Sequence, residues 1–239
     1  MAAPVEETFR GNKITITVVT LLAVVFTALA YSVLSNPASR DFTTDLFFLV
    51  ILALLAAALA WLFSLRVSIY SYGISKQTWF GSKQIRWYDI ERFYYSATKR
   101  SVNFIPIGTY YSFKLVDREG NKIALTNSVE RPSDLGQRLI SSTFEPLYRK
   151  AAQLFDSGVE LEFGPIRLSR DRGLKIKRLF TNKEIPLNQV SEYRIDKGHF
   201  YIFKKGEKRT TGPAISRIPN AYVLLGLLNA IYRPRAKLG

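Results

Sequence analysis

The stretch Leu46–Leu65, LFFLVILALLAAALAWLFSL, carries no charge, no proline and no glycine. Its 20 residues, wound as a helix rising about 1.5 Å per residue, cover about 30 Å, the thickness of a bilayer's hydrocarbon core. A helix that packs on a soluble core keeps one polar face, and this run has none. Trp61 near its end suits the headgroup region, and Arg66 follows at the boundary. The run predicts a transmembrane helix. Arg66-Val67-Ser68-Ile69-Tyr70 already alternates as a strand does, so whatever follows folds directly at the membrane surface.

A second uncharged run, Ile14–Leu34, precedes it. Ala28-Leu29-Ala30 resembles the cleavage site of a signal peptide. Against cleavage, the apolar run continues to Leu34, and Glu6 and Glu7 lie where a signal peptide carries positive charge. A retained helix is the expectation, with Ser35–Thr44 as a turn. Residues 14–34 and 46–65 then form a transmembrane hairpin, and residues 1–13 a short, polar, unstructured tail on the cytoplasmic side.

Charge sets the expected topology. Up to Leu65 there are three basic and four acidic residues; from Arg66 on there are 31 and 15. Arg10 and Lys13 flank the first run, and Arg66, Lys76, Lys83 and Arg86 follow the second, whereas the turn between them has Arg40 beside Asp41. Lys and Arg mark cytoplasmic ends, so both termini are expected inside a multi-pass protein of the plasma or inner membrane. The absence of cysteine excludes disulfides, thiolate catalysis and zinc sites built on cysteine.

After Arg66 the chain reads as short strands with turns at Tyr72-Gly73, Gly81-Ser82, Asp117–Asn121, Asp171–Gly173 and Asp196–Gly198. Two stretches break that texture. Leu135, Leu139, Ile140, Phe144, Leu147, Ala151 and Leu154 recur at helical spacing, and Pro219-Asn220 opens a second helix over Tyr222–Ile231. The strand-rich blocks match at an offset of 100 residues: Gly73-Ile74 with Gly173-Leu174, Trp79-Phe80 with Leu179-Phe180, Ile85 with Ile185, Ile90 with Val190 and Phe93 with Tyr193. The reading is an α+β chain: a two-helix hairpin, then two antiparallel β units, 66–157 and 158–232, each closed by one C-terminal helix. A basic tail, 233–239, ends it.

Strands closed by one helix, twice, resemble bacterial pleckstrin-homology-like (PH-like) domains. The second block is similar to an uncharacterised family of membrane proteins that carry them. The matching residues are Val159, Phe163-Gly164-Pro165-Ile166, Leu168-Ser169, Gly173-Leu174, Lys197–Ile202 and Ile218-Pro219-Asn220 followed by Val223-Leu224-Leu225. In the first block they are Tyr72-Gly73-Ile74 and Ile85 with Trp87, Asp89 and Ile90. The resemblance implies fold and is nearly silent on function.

Catalytic signals are weak. The one histidine, His199, stands beside Gly198 in a turn, and no phosphate-binding glycine loop is present. Asp89 and Glu91, two apart on one expected strand, would share a face, as a general acid and base could, but a solvated strand face is the expected reading. No cofactor is expected and the chain does not read as an enzyme. The basic groups are the candidate ligand site: Lys175, Lys177, Arg178, Lys204, Lys205, Lys208 and Arg209, set in a region that from Arg167 on holds 17 basic and 5 acidic residues. Beside an anionic leaflet each such residue gains about 1 kcal/mol. Positive-inside topology and solubility alone also produce basic excess. Tyr70, Tyr72, Trp79, Trp87, Tyr94, Tyr95, Tyr110 and Tyr111 fit either interfacial anchoring or ordinary strand packing. The expected function is a non-enzymatic binding or scaffold module for anionic lipid headgroups or a protein partner. Membrane-proximal nucleic-acid binding is the alternative, supported only by charge.

Overall fold

The computed structural model describes residues 5–35, 42–102, 105–177, 182–206 and 210–232. It is an α+β protein with two long apolar helices near the N-terminus and several antiparallel sheets. The chain divides into two compact units: residues up to Gln84 together with Asn127–Pro132, and Ile85–Thr126 together with Ser133 onward.

The first unit begins with a strand where the sequence reading expects an unstructured tail. β1 (Val5–Arg10) leads through Gly11-Asn12 into α1 (Lys13–Leu34); α2 (Phe42–Ser64) returns and continues into β2 (Arg66–Tyr70). β1 and β2 pair antiparallel, Phe9 with Val67 and Arg10 with Arg66. The start of α1 and the end of α2 are thereby held side by side. Asn12 caps α1: its Oδ1 accepts from the Ile14 and Thr15 N–H groups. β3 (Gly73–Thr78) and β4 (Gly81–Arg86) complete the sheet in the order β1-β2-β3-β4. Along the free edge of β1 runs Asn127–Pro132, with the Glu130 N–H donating to the Arg10 carbonyl and Gly11 bridged to Val129. Phe9, Leu65, Val67, Ile69, Ile74 and Val129 are buried. VEETFR offers only Val5 and Phe9 as apolar residues, and the partner of β1 lies beyond the whole helical hairpin. Local pattern therefore could not reveal it.

Both helices are long and apolar enough to cross a membrane: Lys13–Val33 with mean hydropathy 2.3 and Phe42–Ser64 with 2.9, only 6% of each span being buried within the protein. The helix bounds follow the apolar runs within a few residues. Most of the expected turn between them, with Arg40 and Asp41, lies outside the described residues.

The second unit opens with a 3₁₀ turn, Trp87–Asp89, and a long hairpin of β5 (Ile90–Val102) and β6 (Ile105–Asp117), joined by β7 (Lys122–Thr126). Asp89 therefore sits in a turn and Glu91 on a strand, so they do not share the strand face expected of them. α3 (Pro132–Asp156) follows, with Pro146 inside it. Its end is a Schellman motif: Gly158, at φ +81°, donates to the Phe155 carbonyl, and Val159 to that of Leu154. β8 (Leu161–Phe163), β9 (Ile166–Ser169), β10 (Gly173–Lys177) and β11 (Asn182–Ile185) form one sheet in sequence order. After a 3₁₀ turn, Leu187–Gln189, β12 (Val190–Asp196), β13 (His199–Lys204) and β14 (Thr210–Ala214) form another. α4 (Ala221–Tyr232) ends the described chain. One core joins these parts: Phe163, Ile166, Leu168, Leu174 and Ile185 from one sheet, Val190, Phe200 and Ile202 from the other, and Val223, Leu224, Leu227 and Leu228 from α4. Phe155 and the half-buried Leu147, Tyr148 and Ala151 of α3 pack on the same core.

The offset of 100 reappears in the element bounds. β3 and β10 start at Gly73 and Gly173, the 3₁₀ turns span 87–89 and 187–189, and β5 and β12 start at 90 and 190. The first hairpins correspond through their registers. Phe9 faces Val67 across β1 and β2 as Phe163 faces Ile166 across β8 and β9. The tight Gly164-Pro165 turn of the second block stands where the first block carries the whole helical hairpin.

Candidate binding site

The basic positions divide between two places. On β10, Leu174 and Ile176 point into the core, which puts Lys175 and Lys177 on the outer face. Lys175 already has an acidic partner: its Nζ lies 2.8 Å from Glu184 Oε1 on β11. The Lys175 ammonium, by hydrogen bond and charge, holds the Glu184 carboxyl below the usual carboxylate range. The register extends this into a row across the sheet, Glu162–Arg167–Lys175–Glu184. Arg167 reaches Glu160 at 3.3 Å and Glu162 at 3.8 Å. Each base thus has an acid beside it. Lys177 ends β10, paired in register with Asn182.

Lys204 and Lys205 lie elsewhere. Lys204 is opposite Val190 at the end of β13, and the Lys205 N–H donates to the Gln189 carbonyl. Gln189 follows β11 by a 3₁₀ turn, whereas Lys177 faces the start of β11. The whole of β11, about 10 Å long at roughly 3.3 Å per residue, and the 3₁₀ turn lie along the chain between the partners of the two groups. Arg178, Lys208 and Arg209 lie outside the described residues, as do Leu179-Phe180 and the basic tail. His199 is exposed at the first position of β13, its ring 6.4 Å from that of Tyr201.

Sequence reasoning missed a cleft of about 390 Å³ in the second unit. Its walls are the outer strands β5 and β8, with Arg92, Tyr94, Glu160 and Glu162. Leu147, Lys150 and Leu154 of α3 line it as well, and Asn220 and Val223 close one end. Asn220 holds that end. At φ +53° its Oδ1 accepts from the Phe93 N–H, its Nδ2 donates to the Glu91 carbonyl, and its own N–H donates to the Phe93 carbonyl. Its carbonyl also accepts from the Val223 and Leu224 N–H groups at the start of α4. Pro219-Asn220 is legible as a helix start, but its second role as a clamp on β5 is not.

The aromatic residues sort themselves by position. Tyr95 packs on Phe113 and Tyr222, and burial, then the Tyr95 hydroxyl, pushes the Tyr222 phenol well above its ordinary range. Tyr94 lies under Lys114, and Tyr70 stacks on Tyr72. Trp79 and Phe80 instead form the turn between β3 and β4, and are 63% and 87% exposed. On the same hairpin, burial and then the neighbouring Lys83 hold the Lys76 ammonium below its ordinary pKa.

No curated protein matches this chain. A family match runs over residues 4–237, nearly the entire chain, and by it the protein belongs to the family of unknown function DUF6585.

Proposed function

We propose that this protein is an integral membrane protein whose helical hairpin holds tandem PH-like units in the cytoplasm as a non-enzymatic binding or scaffold module. The supporting observation is the passage of β1 into α1 and of α2 into β2. Paired strands emerging from paired helices fix a sheet at one end of an apolar hairpin, with no linker to let it swing away. Removal of the first helix after Ala30 would also remove β1 and take Phe9 out of the core, which supports a retained hairpin. The recurrence of strand order, 3₁₀ turn and helix in both halves supports two PH-like units, with α3 and α4 as their closing helices.

Of the two ligand classes, a protein partner is favoured. The Glu162–Arg167–Lys175–Glu184 row spends its positive charge within the sheet, and exposed Lys and Arg attract anionic lipid only through a field that salt screens. The β5–β8 cleft offers an apolar floor rimmed by both charge signs, as protein interfaces often do. Hydrogen exchange of the full chain in nanodiscs tests this. Protection of 175–177 and 204–205 that appears only with anionic lipid would favour the lipid reading. A photo-crosslinker at Leu154, 37% exposed on the cleft wall, is expected to capture a protein in cells, and capture is expected to fail when Val159→Glu is added.

A further inference from the structure

We infer that the Trp79-Phe80 turn is a membrane-dipping finger, inserted at the headgroup–acyl boundary of the leaflet where α2 ends. The inference rests on α2 spanning the bilayer. Three observations in the first unit carry it.

The first is chemical. Two-residue hairpin turns favour Gly, Asn and Asp. This one presents an indole and a phenyl ring, stacked on each other with centroids 6.0 Å apart and planes inclined by 22°. The turn is held by the Thr78 hydroxyl, which donates to the Gly81 carbonyl, and Gly81 takes φ +128°, a conformation that other residues rarely adopt. The turn therefore presents two large apolar rings outward, 63% and 87% exposed.

The second observation fixes where the turn lies. The Trp79 backbone N–H donates to Ser64 Oγ at 2.9 Å, and the Ser64 hydroxyl donates to the Trp61 carbonyl at 2.9 Å. Ser64 is the last residue of α2. The finger is thus tied by a side-chain relay to the final turn of the apolar helix, and its depth follows that of the helix end.

The third is continuity. Phe63, one residue earlier on α2, is 64% exposed, and Trp61 lies on the same turn. Trp61 and Phe63 in the last turn of α2 and Trp79 and Phe80 in the turn tied to it set four aromatic residues at the level where an apolar span meets its flanking charges, Arg66 and Lys83. Indole rings and cations concentrate at that level of a bilayer. A lipid interface is the occupant that this continuity selects over a protein groove.

The absence of native cysteine makes the test direct. Full-length single-cysteine variants Phe80→Cys, Ser71→Cys and Val50→Cys are labelled with an environment-sensitive fluorophore and reconstituted in phosphatidylcholine vesicles. Quenchers are placed either near the headgroup or at the acyl-chain end. Ser71 is exposed at the opposite end of β3, about 20 Å away at 3.3 Å per residue. The Phe80 label is expected to shift to the blue and be quenched most by the shallow quencher. The Val50 label is expected to be quenched most by the deep one, and the Ser71 label by neither. A Phe80 label as aqueous as that at Ser71, with Val50 quenched, would overturn the finger and leave the spanning helix standing. Loss of quenching at Val50 as well would overturn both. Phe80 is so exposed that replacing it removes little packing, so a misfolded variant does not confuse the reading.

Discussion

Asn220 does three things at once. Its carbonyl starts α4, its side chain satisfies Phe93 N–H and Glu91 C=O on β5, and its positive φ lets one residue reach both. Asn and Gly tolerate that conformation best. Asn220→Ala removes two hydrogen bonds and leaves their backbone partners without replacements. It is expected to destabilise the second unit by about 2–3 kcal/mol. Urea unfolding of the full chain in detergent measures this, and a change within about 0.5 kcal/mol, typical of a surface site, would contradict the clamp. Asn220→Asp keeps the acceptor but sets a second acceptor against the Glu91 carbonyl, so it too is expected to destabilise. Asp117 gives a pH-dependent case. Burial works to raise its pKa, but donation from the Asn121 side chain and backbone and from the Glu119 and Gly120 N–H groups prevails, and the carboxyl sits below its ordinary range. The folded pKa lies below the unfolded value of about 3.9. The stabilisation is therefore complete above that value and is lost as pH falls through the folded one. Asp117→Asn is expected to lower the melting temperature at neutral pH, with the difference from the parent shrinking in acid.

At the scale of elements, the insertion of α1 and α2 between two paired strands is the feature on which the first unit depends. Gly11 permits it. A Cβ there would lie 2.3 Å from the Leu62 carbonyl oxygen, and backbone cannot yield as a side chain can. Gly11→Ala is expected to loosen the joint between hairpin and sheet, at the 1–3 kcal/mol typical of overpacking, and to raise protease sensitivity within 5–35. Phe9, fully buried, is expected to cost about 3–5 kcal/mol on replacement by Ala. A soluble fragment starting at Arg66 would lack β1 and bare the edge of β2, and it is expected to aggregate where the full chain does not. Light scattering of the two preparations compares them.

These elements differ in how far the sequence reveals them. The two long apolar helices are legible because an all-round apolar run of bilayer length stands out from any amphipathic pattern. From Gly73 on the repeat is legible because buried positions, Ile74 with Leu174 and Ile85 with Ile185, recur at a fixed distance. β1 is not, because its six residues gain meaning only from a partner beyond the hairpin. Nor is the pairing of Lys175 with Glu184, which follows from strand register. The sequence shows a basic run, and the fold sets an acid beside it.

For the molecule as a whole, the central claim is that one uncleaved hairpin joins the bilayer to the sheets, with both termini on the cytoplasmic side. The register of Arg10 with Arg66 ties the N-terminal strand to the strand that follows α2, so neither strand can cross without the other. Fusing a reporter active only in the cytoplasm to Met1 or to Gly239, and in parallel a reporter active only outside, measures this in intact cells. The account predicts cytoplasmic activity at both ends, carried by a membrane-bound product of full length. A reporter at Met1 released by cleavage, or activity on opposite sides at the two ends, would contradict it.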